Sequence, residues 1–137
     1  AVRLQSSARN VQLSNNIITI LSGFGISVDS NSQTGFVSDY NLVQIGADPN
    51  ARFGFWNGNR DTLTSWQTAT SRDAASLSAD PLFIDIDGAD NRLGFSGGID
   101  GGVDDNFYRR QNSPATDRGD GWNAARVDRD GVGRMDD

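Results

Sequence analysis

The chain has no cysteine, histidine, lysine or glutamate. Without cysteine there is no disulfide, no thiolate zinc site and no thiol nucleophile. Without histidine and lysine the commonest general bases are missing. All 12 basic residues are therefore Arg and all 18 acidic ones Asp, for a net charge of −6 at pH 7. With no basic cluster, this balance argues against nucleic acid, whose phosphates demand a positive face. A biased genome explains the use of Arg for Lys equally well. No run approaches the roughly 18 apolar residues that a membrane-spanning helix needs. The hydrophobic content of 36% is low for a large core but adequate for a thin interior one side chain deep.

At 137 residues the chain is one domain or a piece of one. What it does have is a repeat. Asn10–Ile20 (NVQLSNNIITI) returns as Gly35–Ile45 (GFVSDYNLVQI), which places Asn16 and Asn41 25 positions apart. The short alternating stretch Ala1–Ser6 returns 24 positions later as Gly25–Ser30. A fixed period of about 20–50 residues marks a solenoid, whose units bury their faces only against each other. Val2, Leu4, Val11 and Leu13 alternate with polar residues, the period of a strand with one buried face. Ile17, Ile18, Ile20 and Leu21 form a denser run, restated by Leu42, Val43 and Ile45. The repeat predicts that Asn16 and Asn41 stack at one corner, their amides bonded to each other; an ordinary preference of Asn for turns accounts for them equally.

Residues 1–45 thus read as two regular coils and 46–85 as a third coil carrying a helical insertion. Phe53, Phe55 and Trp56 are its expected strand residues, after a Gly/Asn/Pro-rich excursion from Gly46 to Asn59. Thr64-x-x-Gln67 has the spacing of a capping box, and Leu63 and Trp66 share one face of a short helix around Thr64–Thr70. Ser78–Asp85 is expected to resume the coil by restating Ser38–Val43, with Asp80 held extended by Pro81. Residues 86–137 read as irregular C-terminal coils with acidic loops, including the turn Asp128-Arg129-Asp130-Gly131. The expected architecture is all-β: a right-handed parallel β-helix of about three to four coils with one short external α-helix.

Ser76–Asp85 (SLSADPLFID), the Asp/Gly loop after it, Asp105-Asn106-Phe107 and Asn112–Asp120 (NSPATDRGD) together resemble the right-handed parallel β-helix proteins of the pectin-lyase-like type. Asn15–Ile18, Thr34–Leu42 and Leu63–Thr70 resemble coils of the same family. The resemblance covers most of the chain and is similar to the C-terminal end of such helices. It implies a segment of a large secreted or surface protein of bacteria, hence an extracellular setting. That family includes lyases, hydrolases, adhesins and plain stalks, so fold alone does not assign function.

The best candidate site is the acidic loop. Asp85, Asp87, Asp90, Asp100, Asp104 and Asp105 fall within one Gly-rich stretch whose only cationic residue is Arg92. Crowded carboxylates repel unless a cation sits among them, and Ca²⁺ takes about six to eight hard oxygen ligands. The spacing is not that of an EF-hand, because Ala89 and Asp90 stand where a ligand and a Gly belong. A solvated acidic loop is the plainer reading, and Asp128 with Asp130 forms a lesser candidate of the same kind. For catalysis, the resemblance implies either an Arg base beside Ca²⁺, for which Arg109 and Arg110 stand after the loop, or paired Asp, for which Asp104 and Asp105 qualify nominally. Adjacent residues of an extended strand face opposite ways, so catalysis is the weaker case. Arg118-Gly119-Asp120 spells a receptor-binding tripeptide, but reads better as an ordinary turn.

The leading expectation is a structural or adhesive, non-catalytic, calcium-stabilised solenoid segment of an extracellular protein. The alternative is the C-terminal part of a carbohydrate-active enzyme, a polysaccharide lyase or glycoside hydrolase, with polysaccharide as partner. Ala1 begins within a strand pattern and Asp137 follows no evident final strand. Uncapped ends are therefore expected to associate with adjacent coils or a second copy, covering Val2, Leu4 and Val11 and leaving Arg3 and Asp29 solvated.

Overall fold

The computed structural model describes residues 1–127 and 130–133. The chain divides into two units, Ala1–Ala79 with Asp117–Asp137, and Asp80–Thr116.

The first unit contains β1 (Val2–Leu4), β2 (Gln12–Ser14), β3 (Ile17–Ile20), β4 (Phe24–Val28), β5 (Val37–Asp39), β6 (Leu42–Ile45), β7 (Arg52–Trp56), β8 (Asn59–Arg60) and one helix, α1 (Leu63–Thr70). A single 3-10 turn, Ser30–Ser32, follows β4. The sequence repeat reappears as strand register: Val2 lies beside Ile26, Gln12 beside Val37 and Ile17 beside Leu42, all in parallel pairs. Alternation decides which side chains turn inward. Leu13, Ile18, Ile20, Ile26, Val28, Phe36, Val43 and Phe53 are buried in one core. Asn16 and Asn41 meet as the repeat predicts: Asn16 Nδ2 and its backbone N–H both donate to Asn41 Oδ1, at 3.0 and 3.1 Å.

The expected parallel β-helix of three to four coils is not what forms. The strands make short, separate, mixed sheets that neither curl nor close. The largest, of four strands, runs in the order β1-β4-β7-β8, and its last pair is antiparallel. The reason lies at Asn57-Gly58. Both residues take positive φ, 51° and 137°, the backbone that a two-residue hairpin favours. The chain therefore folds back at once from β7 into β8 instead of crossing over to a further parallel strand. Ser78–Asp85 does not resume the pattern either. It is Leu77, not Leu82, that bridges to Leu42.

The helix differs from expectation in two details. Its capping box is Thr62 with Ser65, each side-chain hydroxyl accepting from the other's backbone N–H, rather than Thr64 with Gln67. It is also not merely docked on the outside, for Trp66 is fully buried at the centre of the core. Its indole lies within 5.8–6.5 Å of the rings of Phe53, Trp56 and Phe36. Gly54 passes directly beneath it, and a Cβ there would stand 2.7 Å from the indole carbons. Arg72 closes this cluster, its guanidinium 5.1 Å from the Trp56 ring and 5.7 Å from that of Phe36. Such cation–π contacts contribute about 0.5–2 kcal/mol.

The second unit holds β9 (Phe83–Asp85), β10 (Phe95–Ser96), β11 (Ile99–Asp100) and β12 (Asn106–Arg109). Both of its pairings, β9 with β12 and β10 with β11, are antiparallel. Phe83 and Phe107 meet edge to face at 5.5 Å across the first pair. Gly97-Gly98, both at positive φ, closes β10 onto β11 as a tight two-residue hairpin, while β9 and β12 meet across the intervening acidic loop.

Candidate functional site

The acidic stretch folds by satisfying backbone amides rather than by gathering carboxylates. Asp104 Oδ2 accepts from the N–H groups of Ala89 at 2.7 Å and Asp90 at 3.3 Å. Asp105 Oδ2 accepts from Gly94 N–H at 2.9 Å. Asp90 Oδ1 and Asp100 Oδ1 cap their own turns, on the N–H groups of Arg92 and Gly102. Asp85 is exposed on β9 opposite Asn106, and the carbonyl of Asp87 accepts from Arg92 N–H. Asp104 lies so close to Gly88 that a Cβ there would meet its carboxyl carbon at 2.5 Å. Among the described residues no three acidic side chains come together to hold one ion. One atom stands apart. Asp105 Oδ1 is buried and has no hydrogen-bond partner.

The catalytic pairing does not assemble around these residues. Asp104 and Asp105 grip different backbone segments, as above, and Arg109 Nη1 donates to Thr116 Oγ1 at 3.4 Å. The tripeptide Arg118–Asp120 is likewise engaged in its own turn. Asp120 Oδ1 accepts from Trp122 N–H and Oδ2 from Asn123 Nδ2. Asn15 grips the same residue in two-point fashion, donating from Nδ2 to Asp120 O at 3.1 Å and accepting from Asp120 N–H at 2.6 Å. In the other acidic turn, Asp128 and Arg129 lie outside the described residues.

Two features of the first unit bear on function. The first is its set of strand edges. Among the described residues β1 is hydrogen-bonded to β4 alone, β2 to β5 alone and β3 to β6 alone, so each strand of the first repeat has one side with no partner strand among them. The hydrogen bonds show which groups face it. Leu4 O accepts from Asp29 N–H, Val11 O from Val37 N–H, and Asn16 O and Ile20 O from Leu42 and Gly46 N–H. Alternate residues point the other way, which turns the backbone groups of Arg3, Gln12, Ile17 and Thr19 to the open side.

The second is a buried polar centre that the sequence reading passed over. Asp73 is fully buried. Its Oδ1 accepts from Ser38 Oγ, Ser76 Oγ and Asn41 Nδ2 at 2.9, 2.6 and 3.3 Å, and its Oδ2 from Trp66 Nε1 at 2.7 Å. A buried Trp needs an acceptor for its N–H, and that requirement is the one signal in the sequence that pointed here. Asn41 extends the network by donating to Leu13 O at 2.9 Å, which ties the helix, β5 and the first-repeat strands to one carboxylate.

Comparison of the chain with models of known protein families, with curated proteins and with solved structures finds no match.

Proposed function

We propose that this chain is a structural or adhesive, non-catalytic β-rich segment that associates by strand pairing at the open sides of β1, β2 and β3. Its partner is a neighbouring segment of a longer polypeptide or a second copy. The observation that carries the reading is that, among the described residues, all three first-repeat strands are bonded on one side only. A row of unpaired N–H and C=O groups is a template for another strand. The rigid polar centre around Asp73 supports it by holding those strands in fixed register. The extracellular bacterial setting rests on the family resemblance alone. Light scattering across a concentration series tests the association, with Arg3→Pro as the control. Arg3 N–H makes no bond to β4, so proline there leaves the internal ladder whole and removes one donor from the open edge. The expected result is a mass that rises with concentration in the unaltered chain and much less in Arg3→Pro. A constant monomer mass refutes the proposal.

The buried, unpartnered Asp105 Oδ1 favours a second reading, in which Ca²⁺ stabilises the acidic loop. Of the six carboxylates, Asp105 fits this best, and Asp104 would have to release its backbone amides to join it. Thermal unfolding in millimolar calcium and in chelator tests it. Binding to the native state adds about 2.7 kcal/mol at a hundredfold excess over Kd, and identical curves exclude the site.

A further inference from the structure

Asn57-Gly58 is the only Asn-Gly pair in the chain, and it forms the turn between β7 and β8. Asn57 is exposed. Gly58 has no side chain to shield its nitrogen, and a Cβ there would meet only Arg60 Nη2, at 3.8 Å. Gly58 O accepts from Trp56 N–H at 3.0 Å, while the Gly58 N–H has no acceptor among the described residues. Gln33 Nε2 donates to Asn57 Oδ1 at 3.1 Å, which draws electrons from the amide carbon Cγ. Arg60 lies across the same turn, its Nε and Nη2 donating to Trp56 O at 3.3 and 2.9 Å, so a fixed positive charge stands beside Gly58. β8 is only two residues long, and so small an edge opens at lower cost than a core strand.

We propose that Asn57 is a self-modification site, at which the chain converts its own side-chain amide to an acid with water as the only co-reactant. The Gly58 nitrogen loses its proton to solvent base and attacks Asn57 Cγ. The new N–C bond forms as the bond from Cγ to Nδ2 breaks, and Nδ2 takes up a proton and leaves as ammonia. Gln33 stabilises the negative charge that develops on Oδ1, and Arg60 favours the deprotonated nitrogen. The product is a five-membered succinimide. Water opens the ring at Cγ to give aspartate, or at the Asn57 main-chain carbon to give isoaspartate, in which the backbone runs through Cγ. Isoaspartate adds a carbon to a turn that depends on positive φ at both residues, so β8 loses its fit to β7. The N–H groups of Phe53 and Trp56, which donate to Asp61 O and Gly58 O, are then freed, and the outer edge of β7 opens. That edge is separate from the open sides of β1, β2 and β3, so the modification does not depend on their association.

The test holds the full chain folded in mildly alkaline buffer over days, beside a urea-unfolded sample. Peptide mass spectrometry with electron-transfer fragmentation locates the conversion and separates aspartate from isoaspartate. The expected result is conversion at Asn57 ahead of every other asparagine in the folded chain, with isoaspartate as the larger product. Gln33→Ala is expected to slow it about fivefold, the effect of one hydrogen bond. Amide exchange on the isoaspartate form is expected to show Phe53 and Trp56 deprotected. Asn57 left intact in the folded chain while the unfolded chain converts it would mean that the hairpin protects the turn, and overturns the proposal. So does earlier conversion at another asparagine, an undiminished rate in Gln33→Ala, or protection at Phe53 and Trp56 that survives in the isoaspartate form.

Discussion

Replacing Asp73 by Ala removes the acceptor for four donors at once: the hydroxyls of Ser38 and Ser76, Asn41 Nδ2 and Trp66 Nε1. The two hydroxyls can rotate toward other acceptors, and Asn41 Nδ2 keeps Leu13 O and Ser38 Oγ. The indole N–H has no such recourse. Each buried donor left unpaired costs about 1–3 kcal/mol. Asp73 also sits at φ +60°, where Ala adds about 1–2 kcal/mol of strain that Asp and Asn largely escape. Together these give about 2–5 kcal/mol, a large part of the 5–15 kcal/mol typical of a domain. Asp73→Asn is the informative contrast. Its Oδ1 can serve Trp66, its Nδ2 can donate to the serine hydroxyls, and it tolerates positive φ, so the expected cost is about 1–2 kcal/mol. Urea denaturation monitored by Trp fluorescence measures both. A cost below about 2 kcal/mol for the Ala variant, or equal costs for Ala and Asn, would refute the reasoning.

Gly54→Ala would bring a Cβ to 2.5 Å from Ile26 O and 2.7 Å from the Trp66 ring, so a loss of about 1–3 kcal/mol is expected in the same assay. Asn16→Ala deletes the bonds to Asn41 Oδ1 and Ser14 O and should cost about 1 kcal/mol, read by urea denaturation, with a changed but retained Asn41 side-chain amide shift in NMR spectra. Thr62→Ala removes the acceptor for Ser65 N–H and should cost about 1 kcal/mol, read as fraying of α1 by amide exchange.

How much of this was legible in the sequence differs from element to element. The spacing of Asn16 and Asn41 carried real information, because alternation of period two and a near-constant repeat leave few registers that bury Ile18, Ile20 and Val43 together. The extension of that pattern into a parallel solenoid was mistaken, and the correcting signal was present. Asn57-Gly58 between Trp56 and Asn59 is a hairpin turn, yet it was read as part of a polar excursion. Trp66 was placed on the right helix but on its periphery, since the spacing of Leu63 and Trp66 shows a shared face and not how deeply it is buried. The six loop carboxylates were recognised as a group, but not their use. Asp bonds backbone amides a few residues away as readily as it binds a cation, and only the folded loop shows that Asp90, Asp100, Asp104 and Asp105 do the former. Asp73 went unnoticed because its donors come from positions 38, 41, 66 and 76, a convergence that no local pattern spells.

The association proposed here depends on backbone groups that point away from the ladder, and amide hydrogen exchange at two protein concentrations observes them directly. At low concentration Leu4, Leu13 and Ile18, turned toward β4, β5 and β6, should be protected, while Arg3, Gln12, Ile17 and Thr19 exchange freely. At high concentration the second set should become protected and the first set remain unchanged. Exchange at Arg3, Gln12, Ile17 and Thr19 that stays equally fast at both concentrations, in a chain whose Leu4, Leu13 and Ile18 are protected, would contradict strand pairing at these edges.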